Sequence, residues 1–289
     1  MLHTPVLVKE VLDALQPERG GVFVDATTGT GGHSQAILQR GTKETRLICL
    51  DQDNCSLTEA KHKLAAFSGR VFFLNGNFRF LADLLREANT GPVDGILYDL
   101  GLSSYLLTEG QRGFSFQADE PLDMRYNPSE GITAAELLAS VSEEQLADIL
   151  YHYGEIRESR FLARKIKEAQ TEQPVLTSGR LSELGRRFLR RRGRTNPATR
   201  LFQALRIAVN DELNNLVVAL ENLPGLLKPG GRAAVISYHS LEDRQVKRFF
   251  RNTPALKPIN KKVIKPARPE ILANPASRSA KLRAAEKIG

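Results

Sequence analysis

The sequence predicts an α/β fold in which a mostly parallel sheet is interrupted by an inserted, mostly helical domain. Three observations carry this. Short apolar runs alternate with helical periods over the first hundred residues, the alternation stops from about Tyr105 to Asn196, and it resumes after Asn196-Pro197. Residues 1–104 and 197–289 are therefore assigned to one sheet domain and 105–196 to the insertion.

Strands are expected at Val22–Ala26, Leu47–Leu50, Val71–Leu74 and Gly95–Tyr98, each ending at a polar or glycine-rich corner. Helical patterns at His33–Gln39, Ser56–Phe67 and Phe78–Glu87 separate them, and this alternation implies βαβ units with a buried parallel sheet. Within the insertion, helix starts are expected at Thr133-Ala134-Ala135-Glu136 and Ser142-Glu143-Glu144. Asn196 caps the next helix with Pro197 at its first position. That helix should run to about Asn222, its stripe of Leu201, Leu205, Ala208, Leu213, Leu216 and Leu220 facing the sheet. Lys228-Pro229-Gly230-Gly231 reads as a turn, Arg232–Tyr238 as a strand, Ser240–Arg251 as a helix, and the remainder as a proline-rich basic tail.

Composition excludes several classes. With 289 residues, 41% hydrophobic and 26% charged, the chain has ordinary globular composition. No apolar run approaches the roughly 18–20 residues that span a bilayer, and the first residues do not form a signal peptide, so a soluble cytoplasmic protein is expected. Two cysteines make neither a disulfide framework nor a four-ligand zinc site. The net charge of +8 is segregated: Arg180–Arg206 carries +8, Arg244–Gly289 carries +11, and the rest carries −11. Concentrated arginine beside an acidic remainder points to a polyanion partner.

The first strand runs into Asp25-Ala26-Thr27-Thr28-Gly29-Thr30-Gly31-Gly32-His33, a glycine-rich turn entering a helix. The third glycine of the dinucleotide fingerprint is missing and no Gly-Lys-Ser/Thr follows. Asp25 inside the corner should repel a pyrophosphate, which favours a cationic or neutral nucleoside ligand. Asp51 ends the second strand, where a carboxylate can bind both ribose hydroxyls; Asn77-Phe78 follows the third, and Asp99 ends the fourth. A lone Asp at a strand end is commonly a helix cap, but four corners in register suit S-adenosylmethionine better than a nicotinamide dinucleotide.

Further motifs extend along nearly the whole chain. They are His3-Thr4-Pro5-Val6-Leu7, Gly31-Gly32-His33-Ser34, Asp99-Leu100-Gly101-Leu102-Ser103-Ser104, Arg112-Gly113-Phe114-Ser115-Phe116, Pro121-Leu122-Asp123-Met124-Arg125, Pro197-Ala198-Thr199-Arg200, Ser237-Tyr238-His239-Ser240-Leu241-Glu242-Asp243-Arg244, and Asn274-Pro275 through Arg283. In this combination the chain resembles the bacterial ribosomal small-subunit RNA (cytosine-N4)-methyltransferases of the MraW/RsmH type. The resemblance implies a class I methyltransferase (Rossmann-like) fold and activity on a decoding-centre cytidine of 16S ribosomal RNA, within the small subunit. It places S-adenosylmethionine contacts on Gly31, Gly32, His33, Asp51, Phe78 and Asp99. Two positions depart from the family: Tyr105-Leu106 stands for the common Pro-Gln, and Tyr238 for a usual phenylalanine.

Methylating an exocyclic amine requires orienting a weak nucleophile and taking up its proton. Asp99 is the first candidate to accept hydrogen bonds from that amine, the alternative being a role confined to the cofactor. His239 is either a base on the same rim or a cap for the Ser240 helix. Its spacing to Glu242 and Asp243 is not H-E-x-x-H, so no metal is expected. For RNA the candidates are Arg112, Asp123 and Arg125 in the loop, Arg200, Gln203, Arg206 and Asn210 on the Asn196 helix, and Arg278, Lys281 and Arg283 in the tail, with the Arg186–Arg194 run gripping phosphates. Phe114 and Phe116 read either as base-holding aromatics or as core. Two rival functions stay open: a nicotinamide-dependent reductase, and a non-catalytic RNA-binding assembly factor retaining a cofactor crevice.

Overall fold

The computed structural model describes residues 5–102, 105–106, 110–115, 118–190 and 196–289. His3, Ser103, Ser104, Phe116 and Arg191–Arg194, all named above, lie outside the described residues. The chain divides into two compact units, Met1–Ser104 with Leu213–Gly289, and Tyr105–Glu212. The first division falls where the alternation stops; the second lies after Glu212, not at residue 197.

The first unit is built on a seven-stranded sheet ordered β3-β2-β1-β4-β5-β7-β6. Strands β1 (Val22–Asp25), β2 (Arg46–Asp51), β3 (Val71–Asn75), β4 (Val93–Asp99) and β5 (Leu227–Ser237) are parallel. Strand β7 (Lys281–Lys287) runs antiparallel to β5, and the edge strand β6 (Leu256–Pro258) pairs antiparallel with β7. The sequence reading missed both, because Lys281-Leu282-Arg283-Ala284 looks like basic tail. Leu282 and Ala284 nevertheless point into the core while Lys281 and Arg283 stay partly exposed, the two-residue alternation of a strand.

One face of the sheet buries Val24, Ile48, Ile96, Tyr98 and Val235 with Leu216, Leu220 and Phe250. The other buries Phe23, Leu47, Cys49, Leu97 and Ile236 with Val11, Leu15, Ile37 and Leu38. The second set comes from α1 (Val8–Leu15), which the sequence reading did not assign, and α2 (Gly32–Arg40). Helices α3 (Asn54–Lys63) and α4 (Leu81–Glu87) complete the crossovers. The expected turn at Lys228–Gly231 lies inside β5, where the pairing jumps from Val93↔Leu227 to Gly95↔Arg232 and absorbs the extra residues as an irregularity.

The second unit is helical: α5 (Ala134–Ser140), α6 (Glu143–His152), α7 (Ser159–Glu172), α8 (Ser178–Phe188) and α9 (Ala198–Asn210). Thr133 and Ser142 each close a capping box, as S/T-x-x-E/Q predicts. The single long helix expected after Asn196 is two. Asp211 sits left-handed at φ 49° and ends α9, and α10 (Glu212–Leu226) starts afresh. Asp tolerates this conformation better than most side chains. The apolar stripe is therefore split, with Leu201 and Leu205 buried in the helical unit and Leu216 and Leu220 against the sheet.

Candidate functional site

The carboxyl ends of β1, β2 and β4 carry Asp25, Asp51 and Asp99, and the three carboxylates have different surroundings. Asp25 is fully buried and its Oδ2 accepts the Ser34 hydroxyl at 2.6 Å. Burial raises its carboxyl above the ordinary value, against the charge of His33 and the Ser34 and Thr27 hydrogen bonds. It shapes the corner from within, enclosed and turned to Ser34, so the expected direct contact of Asp25 with a pyrophosphate is corrected. Cys49, whose thiol burial pushes up to about 12, donates to Ser34 beneath it and is structural.

Asp51 is the carboxylate held open. Its Oδ2 accepts the Gly29 N–H at 2.7 Å and its Oδ1 the Asp53 N–H at 2.9 Å. Burial still outweighs these donors and pushes its carboxyl up to about 6. Two backbone donors leave each oxygen a further lone pair, and additional O–H donors there stabilise the ionised form. A vicinal diol supplies two. Gly31, at φ +81°, caps α2, and a Cβ there would press on Ala60 at 3.3 Å, so α3 seals the turn from behind. Gly32 lies against Pro5, and His33 Nε2 is 2.8 Å from the Val6 carbonyl. The Leu7 N–H donates to Glu270 at 2.7 Å. The chain's first described residues are thus fastened onto the glycine corner.

The His33 contact fixes its tautomer: the carbonyl of Val6 requires Nε2–H. Nδ1 faces Asp99 Oδ2 at 3.5 Å. Asp99 Oδ1 accepts the Gly101 N–H at 3.2 Å, and its own N–H donates to Thr27 Oγ1 at 2.6 Å. Tyr238 completes the group. Its ring lies so close over Gly101 that an added Cβ would stand 2.8 Å from it, and its hydroxyl feels the Asp99 carboxylate. Burial first, then the Asp99 charge, pushes that hydroxyl well above its usual value, so it stays protonated. The expected cofactor residues His33 and Asp99 are brought together, and Thr27 and Tyr238 join them unforeseen.

Phe78 opens a short 3₁₀ turn after β3 and packs edge-on against Tyr98 at 5.7 Å, only partly buried. Asn77 caps that turn and donates to Gln52 at 3.1 Å. His239 takes the second of its two readings. It is the N-cap of α11 (Ser240–Asn252), its Nδ1 accepting the Glu242 N–H at 3.4 Å in a capping box. Its Nε2 lies 3.0 Å from Glu242 Oε1. Glu242 is buried and also accepts the Tyr238 N–H at 2.8 Å.

In the helical unit the expected RNA residues contact one another. Asp123 holds Arg125 through both carboxylate oxygens, at 2.7 and 2.9 Å. Burial alone would raise the Asp123 carboxyl; the Arg125 hydrogen bonds and charge prevail and lower it. Arg112 donates to the Tyr126 carbonyl at 2.9 Å. Asn210 reaches the same loop, donating to the Met124 carbonyl at 2.7 Å and accepting the Tyr126 N–H at 2.8 Å. Arg206 pairs with Glu212 at 2.8 Å, and Gln203 donates to the Tyr153 carbonyl at 2.8 Å. Arg200 is exposed and reaches the Glu155 carbonyl at 3.2 Å. Phe114 is core, buried and stacked on Tyr126 with centroids 5.5 Å apart. Leu106 is buried as well. Arg186, Arg187 and Arg190 are exposed.

In the tail, Arg278 is exposed, whereas Arg283 and Lys281 both pair with Asp243 of α11, at 2.7 and 3.3 Å. No helix among the described residues is long and apolar enough to cross a membrane.

Comparison with known proteins finds relatives along the whole chain. The chain is 44% identical over 307 residues to ribosomal RNA small subunit methyltransferase H of Syntrophotalea carbinolica, covering 99% of this chain and 98% of that one. It is 47% identical over 289 residues to the protein of the same name from Coprothermobacter proteolyticus, covering 99% and 96%. A candidate rRNA-methylase structure from Clostridium thermocellum shares the fold at a TM-score of 0.50 and 11% identity, covering 100% of this chain and 99% of that one. The model of the MraW methylase family matches residues 1–288. The chain belongs to the MraW methylase family.

Proposed function

We propose that this protein transfers the methyl group of S-adenosylmethionine to the exocyclic N4 amine of a decoding-centre cytidine in 16S ribosomal RNA. The observation that carries the reading is the pair of carboxylates at the ends of β2 and β4, on either side of β1. Asp51 is fixed by Gly29 and Asp53 where ribose hydroxyls would donate to it, and Asp99, two strands away, is fixed by Gly101 with His33 and Tyr238 beside it. Family membership and the names of the curated relatives supply the substrate class.

The donor set suits this cofactor. Backbone N–H groups at the Gly31 helix start favour a carboxylate, Asp51 favours a diol, and the partly exposed edge of Phe78 suits a purine. The bound cofactor supplies an electrophilic methyl on a sulfonium. The protein's own work is on the amine, whose lone pair is delocalised into the ring. Asp99 is oriented by the Gly101 N–H and accepts hydrogen bonds from the amine, favouring its pyramidal form and receiving a proton as the new C–N bond forms. His239, spent on the α11 cap, does not take that role. The sheet unit, residues 1–104 with 213–289, supplies the cofactor site, and the helical unit recognises RNA, its Asp123–Arg125 and Arg206–Glu212 pairs offering a fixed shape and its exposed Arg186, Arg187, Arg190 and Arg200 offering charge.

Incubating the protein with methyl-labelled S-adenosylmethionine and small ribosomal subunits lacking the modification tests this. Label on N4 of a single 16S cytidine is expected. Label on another base, or on none, contradicts it.

A further inference from the structure

The antiparallel edge of the sheet carries a second concave surface that shares no residue with the strand-end corners. Where α11 packs beside β6 and β7 lies a cavity of about 270 Å³. Its floor is apolar, from the buried Phe250 and Ala284 with Pro258 at the side, and its cations are Lys247, Arg251, Lys261 and Arg283.

The rim is held in place. Asn260 accepts the Ala284 N–H at 2.8 Å and donates to the Leu282 carbonyl at 3.3 Å, which fixes the backbone beside Lys261. Arg283 is braced by Asp243 at 2.7 Å. Lys247 and Arg251 stand four residues apart on α11, hence on one face. Of the groove's four cations only Arg283 is matched among the described residues, by Asp243, which also takes Lys281; on β5, Arg232 pairs with Glu286. Lys247, Arg251 and Lys261 have no carboxylate partner among the described residues. The stretch from Arg244 to Pro269 holds nine Lys or Arg and no acid, and the adjacent Asp243 is taken by Arg283 and Lys281.

A solvated charged face has no reason to converge on a hollow with an apolar floor. A sugar–phosphate backbone matches both parts, with phosphates on the rim and sugar or base against Phe250 and Pro258. We infer that this edge groove grips the backbone of the substrate RNA at a place separate from the methyl-transfer site. The inference rests on the RNA reading above and adds to it a second foothold.

The test is the full chain carrying Lys247→Gln, Arg251→Gln and Lys261→Gln together, titrated against a small-subunit RNA fragment over a range of salt, with cofactor binding as the check on folding. Affinity should fall by about tenfold or more near physiological salt. The slope of log affinity against log salt should become shallower by about 2–3, since each phosphate contact contributes roughly 0.7–0.9. A control triple of exposed cations elsewhere, Lys9→Gln, Lys43→Gln and Arg46→Gln, removes the same charge and should leave the slope nearly intact. Equal losses in both triples, or an unchanged slope in the groove triple, overturn the proposal. So does a groove triple that loses binding to phosphatidylglycerol vesicles while keeping RNA. If the triple does not fold, Lys261→Gln alone should reduce the slope by about 1, and no reduction overturns the proposal. A wild-type chain that binds no RNA overturns the RNA reading itself, an outcome distinct from a loss confined to the groove triple.

Discussion

Asp51 in the sheet unit and Asp123 in the helical unit are both carboxylates removed from bulk water, and their acidities move in opposite directions. Asp51 meets only neutral N–H dipoles, and burial pushes it up to about 6; Asp123 meets the Arg125 guanidinium and is held low. Neutral donors leave the charge of a carboxylate incompletely compensated, and that is the condition in which a ligand's hydroxyls have most to add. A guanidinium fork compensates it at once. The sheet unit is therefore chemically unfinished and awaits a ligand, while the loop of the helical unit is finished and offers a fixed shape.

The largest effect should come from Asp99. Asp99→Ala removes the acceptor for the amine and should lower turnover by about 10²–10⁴-fold, with RNA affinity retained in a direct titration. Equal loss of RNA binding would erase the distinction between the two regions. Next comes Asp51. Its folded value lies above that of an unfolded aspartate, about 3.9, so the native state binds more protons between the two. Its contribution to stability is present at low pH and is lost as pH rises through about 6. A cofactor diol favours the ionised form, so cofactor affinity should increase as pH rises through about 6. Asp51→Asn should flatten that profile and weaken binding by about 10–100-fold, the loss of charge-assisted hydrogen bonds worth roughly 1.5–3 kcal/mol. Calorimetric titration across pH measures both.

On the finished side, Asn210→Ala strips partners from the Met124 carbonyl and the Tyr126 N–H and should cost about 1–3 kcal/mol. The loss should appear in hydrogen exchange around the Met124–Tyr126 loop, with cofactor affinity untouched. Tyr238→Phe keeps the ring over Gly101 and removes the hydroxyl beside Asp99. A change in turnover of about two- to tenfold is expected, the size of losing one polar neighbour worth roughly 0.5–1.5 kcal/mol, read as the pH profile of kcat.

The same contrast governs what the amino-acid order revealed. Each parallel strand announced itself as an apolar run ending in a polar corner, so Asp51, Asp99 and the Gly31 turn stood out where they stand in the structure. Partners brought from far away did not. The Tyr238 hydroxyl meets Asp99 only because β5 pairs with β4, and Val6 meets His33 only because Pro5 seats on Gly32. Asp25 shared the pattern of its neighbours but is buried beneath Ser34, and residue order does not separate the two cases. The Asp211 break was hidden because leucines continue on both sides of it, serving different cores. Strand β7 was hidden by its charges, whose alternation with Leu282 and Ala284 was the available signal.

A crystal structure with S-adenosylmethionine and cytidine bound tests the central claim most directly. The account predicts Asp51 on the ribose hydroxyls and an Asp99 oxygen within hydrogen-bond distance of the cytosine N4 amine. An Asp99 whose oxygens reach only the cofactor's amino-acid end, with the amine elsewhere, would contradict it.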